Sequence, residues 1–123
     1  MQRHAQMAII TFLLLVFIAA GLAKLINPAM FHDQFARFGL PEWFVLVTGA
    51  TELVAAALIA SFNDVRRRLG GAMLAVTMAV ATALHVLHDP LPMAVPAFLL
   101  MLLAAYVALV ALAKSAKTRP VSA

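Results

Sequence analysis

The sequence predicts an all-α protein, a four-helix transmembrane bundle with a short interfacial amphipathic helix between spans one and two. Three observations carry that prediction. Of the 123 residues, 65% are hydrophobic and 11% are charged, and mean hydropathy is +1.01; intrinsic disorder and a water-soluble single-core globule are both excluded. The apolar residues gather into four long runs, and four spans of about 20 residues consume about 80 positions, which matches the apolar content and leaves only short connections. Most of the few charges flank the runs rather than interrupt them.

The first span, 8–26, carries Ile9, Ile10, Phe12, Leu13, Leu14 and Leu15 and meets its first interior charge at Lys24. Arg3 and His4 precede it and Gly21-Leu22-Ala23 offers small residues, which is also the pattern of a cleaved signal peptide. Its likeness to the other three runs favours a retained span. Asn27-Pro28 ends the helix, since proline lacks an amide donor and disfavours helical geometry in the residue before it. Met30, Phe31, Gln34, Phe35 and Phe38 then recur at helical spacing opposite His32, Asp33, Arg37 and Glu42, predicting a short helix at the interface. Gly39 stops it, Pro41 suits the start of the next helix and Trp43 the headgroup level.

The second span, 42–62, is apolar except for Thr48, Thr51 and Glu52 near its middle. Asn63-Asp64-Val65-Arg66-Arg67-Arg68 reads as a tight basic turn, followed by a third span, 69–87, that ends at His88-Asp89-Pro90. The fourth span, 93–113, completes a four-span unit over residues 1–114, and a basic tail, 115–123, is expected to be disordered. Internal repeats are not evident.

Orientation follows from the flanking Lys and Arg. The amino tail, the turn at Arg66, Arg67 and Arg68, and the carboxyl tail share one side and hold seven of the nine basic residues, against Lys24 and Arg37 on the other. Both termini are therefore expected in the cytoplasm and, in a bacterial inner membrane, the short helix and the His88-Asp89 turn in the periplasm. The net charge of +4 reads as a topology signal, and nucleic acid is not an expected partner.

The chain has no cysteine, which removes disulfides, thiolate metal sites and cysteine nucleophiles. No Ser-His-Asp arrangement or Gly-rich phosphate loop is present. Thr11, Thr48, Thr51, Thr77 and Thr82 are expected to bond to their own helix carbonyls, and the seven methionines to fill gaps between helices.

The candidates for chemistry are Lys24, Glu52 and His85. With a rise of about 1.5 Å per residue, Glu52 lies about 14 Å below the outer boundary, while Lys24 and His85 lie within about 6 Å of it. A charge alone in hydrocarbon is costly, so the three should face the bundle interior, pair, or become neutral, with Lys24 and Glu52 the obvious pair. Gly49, Glu52, Ala55 and Ala56 form a small-residue face on span two, and Gly71, Ala75, Met78, Thr82 and His85 a similar one on span three. Each residue also has a plainer reading: Lys24 snorkelling to the surface, Glu52 in a packing hydrogen bond, His85 as a satisfied bundle histidine. His85, His88 and Asp89, at helical spacings of three and four, are weak candidates for a divalent metal.

Gly21-Leu22-Ala23-Lys24-Leu25, then Phe38-Gly39-Leu40-Pro41, then Gly49 and Glu52-Leu53, then His85 near the outer end of span three together resemble the DoxX-like family of small four-helix membrane proteins. The resemblance covers nearly the whole chain and implies a four-helix bundle with Lys24, Glu52 and His85 at the matching polar positions. It also implies association with redox processes, since the family takes its name from a subunit associated with a thiosulfate:quinone oxidoreductase. The absence of cysteine sets this chain apart from four-helix thiol-quinone enzymes, so a redox role requires an external cofactor or partner.

The leading expectation is a polar Lys/Glu/His pocket in the outer half of the bundle that takes a quinone headgroup or another small amphiphile. The second is a non-enzymatic accessory or scaffold protein that binds membrane or periplasmic partners through the short helix and the His88-Asp89 turn. A channel or carrier is disfavoured, because one ionisable residue near the midplane and no pair of broken helices make a poor conduction path. The lipid bilayer is the first partner, and the small interior of four short helices makes a homo-oligomer plausible.

Overall fold

A computed structural model of the protein describes residues 2–118, and every regular element among them is helical. The α-helices are α1 (Gln2–Ile26), α2 (His32–Arg37), α3 (Phe44–Ala60), α4 (Asp64–His88) and α5 (Val95–Thr118), with single 3-10 turns at Pro28–Phe31 and Leu91–Ala94. Three stretches, centred on α1, α4 and α5, are long and apolar enough to cross a membrane. The shorter α3, 17 residues, sits at the lower end of the spanning range of roughly 17–25. The fold is the all-α membrane bundle that the sequence predicts.

The four long helices form a closed ring in which α1 packs on α3, α3 on α4, α4 on α5, and α5 returns to α1. Short connections make successive neighbours antiparallel. Near the start of α1, the Gln6 side chain accepts a hydrogen bond from Lys114 near the end of α5, 2.9 Å, so both lie at one end of the bundle, here the basic end. Lys24, α2 and the last turn of α4 lie at the other.

Ile10, Leu13 and Phe17 of α1, Ala55, Ala56 and Ile59 of α3, Leu74 and Met78 of α4, and Ala97, Ala104 and Val107 of α5 form the core, at the spacings of three, four and seven that put them on one helical stripe. Apolar residues also cover the outside, including Leu15, Val54, Leu99 and Leu109. A helix apolar all round suits a lipid surround. Lipid gives no hydrophobic drive for helices to associate, so close van der Waals approach has to hold the seams. Glycines permit it: a Cβ at Gly70 of α4 would lie 2.6 Å from the Ala55 carbonyl oxygen of α3, one at Gly71 2.9 Å from the Ala104 carbonyl oxygen of α5, and one at Gly21 of α1 2.9 Å from the Gly49 carbonyl oxygen of α3.

One boundary differs in kind from the sequence expectation. Arg66, Arg67 and Arg68 are not a turn; α4 begins at Asp64 and contains all three. Asn63 caps the helix, its side-chain oxygen accepting the Arg66 backbone N–H at 3.0 Å, and Asp64 in the first turn complements the positive helix end. Arg67 is buried and its Nε donates to the Ile59 carbonyl at 3.1 Å, closing the end of α3, with its guanidinium 5.4 Å from the Phe62 ring. At the other terminus α5 continues through Thr118, so 115–118, expected in the tail, are helical; 119–123 lie outside the described residues, and the expectation of a disordered tail lies there with them.

The short helix α2 folds over one end of the bundle as a roof. Its stop is a Schellman motif: Gly39 takes a left-handed conformation (φ 77°), its N–H donates to the Ala36 carbonyl at 3.0 Å and the Leu40 N–H to the Phe35 carbonyl at 2.9 Å. Phe35 is buried beneath, its ring centroid 6.4 Å from those of Phe38 and Phe44.

Gly70→Ala is expected to lower bundle stability by about 1–3 kcal/mol, because its methyl must displace backbone, whereas Gly39→Ala, with open space around it, should cost only the roughly 1–2 kcal/mol of a left-handed non-glycine residue. Reversible unfolding in mixed micelles of increasing denaturing detergent reads both.

Candidate functional site

Glu52 is the middle residue of α3, and its side chain is 3% exposed. Lys24 reaches it from α1, with Nζ 3.1 Å from Oε1 and donating to Oε2 at 3.2 Å. The lysine side chain is itself only 12% exposed, so it turns inward rather than snorkelling to the surface. Gly49 makes the approach possible, since a Cβ there would lie 2.9 Å from the Lys24 Cβ. Phe31, in the 3-10 turn after α1, places its ring centroid 5.0 Å from Nζ, a cation–π contact on the ammonium.

The last turn of α4 carries a second polar group. His85 Nδ1–H donates to Asp89 Oδ2 at 2.7 Å, and Arg37 Nη2, at the end of α2, donates to Asp89 Oδ1 at 3.2 Å. Asp89 thereby ties the roof to α4, and its side chain is 5% exposed. Phe38 stands edge-on to His85, ring centroids 5.3 Å apart at 90°, and lies 5.7 Å from His88. The hydrogen bond from His85 holds the Asp89 carboxyl below the usual carboxylate range, with the charge of Arg37 adding to the effect.

Lys24, Glu52 and His85 all border one cavity of about 370 Å³, within the range of roughly 300–1,000 Å³ typical of small-molecule sites. Gln34, Phe35 and Phe38 of the roof close its end. His85 bonds to Asp89 and not to the Lys24–Glu52 pair, so the three predicted residues share a cavity as two separate polar groups. With Nδ1–H committed to Asp89, the neutral His85 ring keeps Nε2 as a proton acceptor, and the Lys24 ammonium is a hydrogen-bond donor on the opposite polar group.

Among the described residues no three His, Asp or Glu side chains converge as a metal site. His85 and Asp89 meet, but His88 packs against Phe38, and Arg37 brings a positive charge to the carboxylate a cation would use. Thr48, Thr51, Thr77 and Thr82 donate to carbonyls one turn back at 2.9, 2.8, 2.8 and 2.6 Å, the helix-internal role expected of them. The sequence reading did not find the Arg37–Asp89 link or the part Gln34 takes in the cavity. Opposite charges on the same predicted side of the membrane were the available signal for the first; Gln34 left none beyond its place on the α2 stripe.

Removing one partner of a buried ion pair leaves an uncompensated charge, so Glu52→Gln and Lys24→Met should each destabilise the fold by roughly 3–5 kcal/mol and the double variant by clearly less than their sum. A double-mutant cycle of detergent unfolding checks this. Asp89 titrates lower folded than unfolded, so its contribution is complete above the ordinary carboxylate range and is lost as pH falls through the folded value. Thermal unfolding of wild type and Asp89→Asn should therefore converge as pH drops below that range.

Neither a curated protein nor a solved structure matches the chain. The model of the DoxX-like family matches residues 8–117, a stretch that takes in Lys24, the roof, Glu52, His85 and Asp89. The chain therefore belongs to the DoxX-like family.

Proposed function

We propose that this protein is a membrane component of a redox or quinone-linked process, and that its cavity takes a quinone headgroup or a similar small amphiphile. The carrying observation is that the Lys24–Glu52 pair and His85, itself held by Asp89, border one largely apolar and aromatic cavity. A quinone ring needs apolar surroundings and a donor at each carbonyl. Lys24 Nζ supplies one donor, and the His85 ring, oriented through Nδ1 by Asp89, donates at Nε2 when that nitrogen carries a proton and accepts one there when it does not. A bound quinone would supply two-electron, two-proton carrier chemistry; the chain itself positions the ring, excludes water with Phe35 and Phe38, and holds protons.

The charge asymmetry supports a bacterial inner membrane orientation with both termini in the cytoplasm, which puts the cavity toward the periplasmic leaflet. The alternative, an accessory or scaffold protein docking partners through the short helix, draws less support. Phe35, which such a surface would present, is buried under the roof, and Arg37 is engaged by Asp89.

Native mass spectrometry of protein extracted gently from its own membrane tests the proposal. Stoichiometric retention of a quinone is expected, weakened about tenfold or more, the equivalent of about 1.4 kcal/mol, in Glu52→Gln and in His85→Ala. Retention of phospholipid alone, or of a second protein in place of a quinone, would overturn it in favour of the accessory role.

A further inference from the structure

The seam between α3 and α4 is shut at the basic end and open toward the roofed end. Gly70 sits in the second turn of α4, where a Cβ would lie 2.6 Å from the Ala55 carbonyl oxygen and 2.9 Å from the Leu58 Cβ, so the two helices touch there. Further along, Val47 and Thr51 of α3 and Val76 and Val80 of α4 border the cavity. Val47, Val76 and Val80 are 46%, 65% and 54% exposed while lining it, which makes them its rim. Val76 is the middle residue of the 25-residue α4, so this mouth opens on the flank of the bundle at the depth of the hydrocarbon core. The end of the bundle, where water would enter, is covered by buried Phe35 and by Phe38 against His85.

Charge narrows what can enter. Lys24 is matched by Glu52 at 3.1 Å, and Arg37 and His85 converge on Asp89, so the cavity presents no unmatched cation to a phosphate. A rim of valines between two helices is a slot, and about 370 Å³ holds a ring-sized head rather than the head and two chains of a phospholipid.

We infer that the cavity is loaded sideways from the bilayer, between α3 and α4, by a neutral molecule with a hydrogen-bond-accepting head and one long apolar chain. The head lies against Lys24, Glu52 and His85, and the chain leaves through the slot bounded by Val47, Val76 and Val80. The inference rests on the proposed pocket reading for its head and on the position of the rim for its chain. Lipid and slot are equally apolar, so the chain adds affinity chiefly by concentrating the ligand in the membrane at the depth of the mouth.

The test compares decylubiquinone with the same dimethoxy-methyl-benzoquinone lacking the chain, each titrated against the full chain in lipid nanodiscs. Val80→Trp fills the slot, and Val54→Trp, on an exposed α3 position away from the cavity, controls for the added indole. Wild type and Val54→Trp are expected to bind both quinones, and Val80→Trp to lose about tenfold or more in affinity for decylubiquinone beyond whatever it loses for the chainless ring. A photoreactive group at the end of the decyl chain, used on wild type, is expected to label residues around Val47, Val76 and Val80. Labelling of the roof, around Phe35 and Phe38, would overturn lateral entry while leaving the pocket reading intact, as would unchanged decylubiquinone binding by Val80→Trp. Failure of wild type to bind either quinone would instead overturn the pocket reading and the inference with it.

Discussion

A lysine and a glutamate buried side by side in a hydrocarbon-embedded bundle leave few arrangements for the helices that carry them. Neither charge can face lipid without a large cost, so the pair orients both α1 and α3 with these residues inward. The 3.1 Å contact then needs the two backbones close together, and Gly21 and Gly49, each lacking a Cβ where the other's carbonyl passes, supply that closeness. The cation–π contact from Phe31 follows, because the chain must turn just beyond Lys24 and its first aromatic residue lands over the ammonium. The start of the roof is thus positioned by the same pair that fixes the helix faces.

Asp89 plays the corresponding part at the other polar group. A carboxylate at a helix C-terminus is unfavourably placed against the helix dipole, yet here it receives hydrogen bonds from His85 within its own helix end and from Arg37, 52 residues away. The arrangement converts a poor capping residue into a joint between α2 and α4, and it directs the ring of His85 at the same time. Phe38 packs edge-on against that ring. Structure and chemistry are coupled at this joint, since a change that frees the roof also frees the histidine.

Between these two polar groups the helices are held by geometry more than by hydrophobicity. With apolar residues on both the inner and outer surfaces, burial of a leucine against another helix differs little from its exposure to lipid. Specificity therefore falls to small residues and to the few hydrogen bonds, which explains why glycine seams at Gly70 and Gly71 lie near the basic end and why α3 and α4 are free to part where valines replace glycine. The cavity exists because close packing stops partway along that seam.

Composition, run length and flanking charge were enough to determine the number and order of the apolar helices, the break at Asn27-Pro28, the stop at Gly39 and the identity of the polar residues that lipid would not tolerate unpaired; these are local properties or consequences of solvation, both written in single stretches of chain. Helix ends were less legible at 63–68, because a run of arginines resembles a turn until Asn63 is seen to cap it and Arg67 to close the end of α3. Tertiary structure alone decided that Lys24 turns inward, that Arg37 meets Asp89, that His85 answers to Asp89 and not to Glu52, and that the short helix roofs a cavity. Each of these depends on how far apart two helices stand and how they are rotated, and that depends on contacts between residues distant in sequence, which no single segment of the chain encodes.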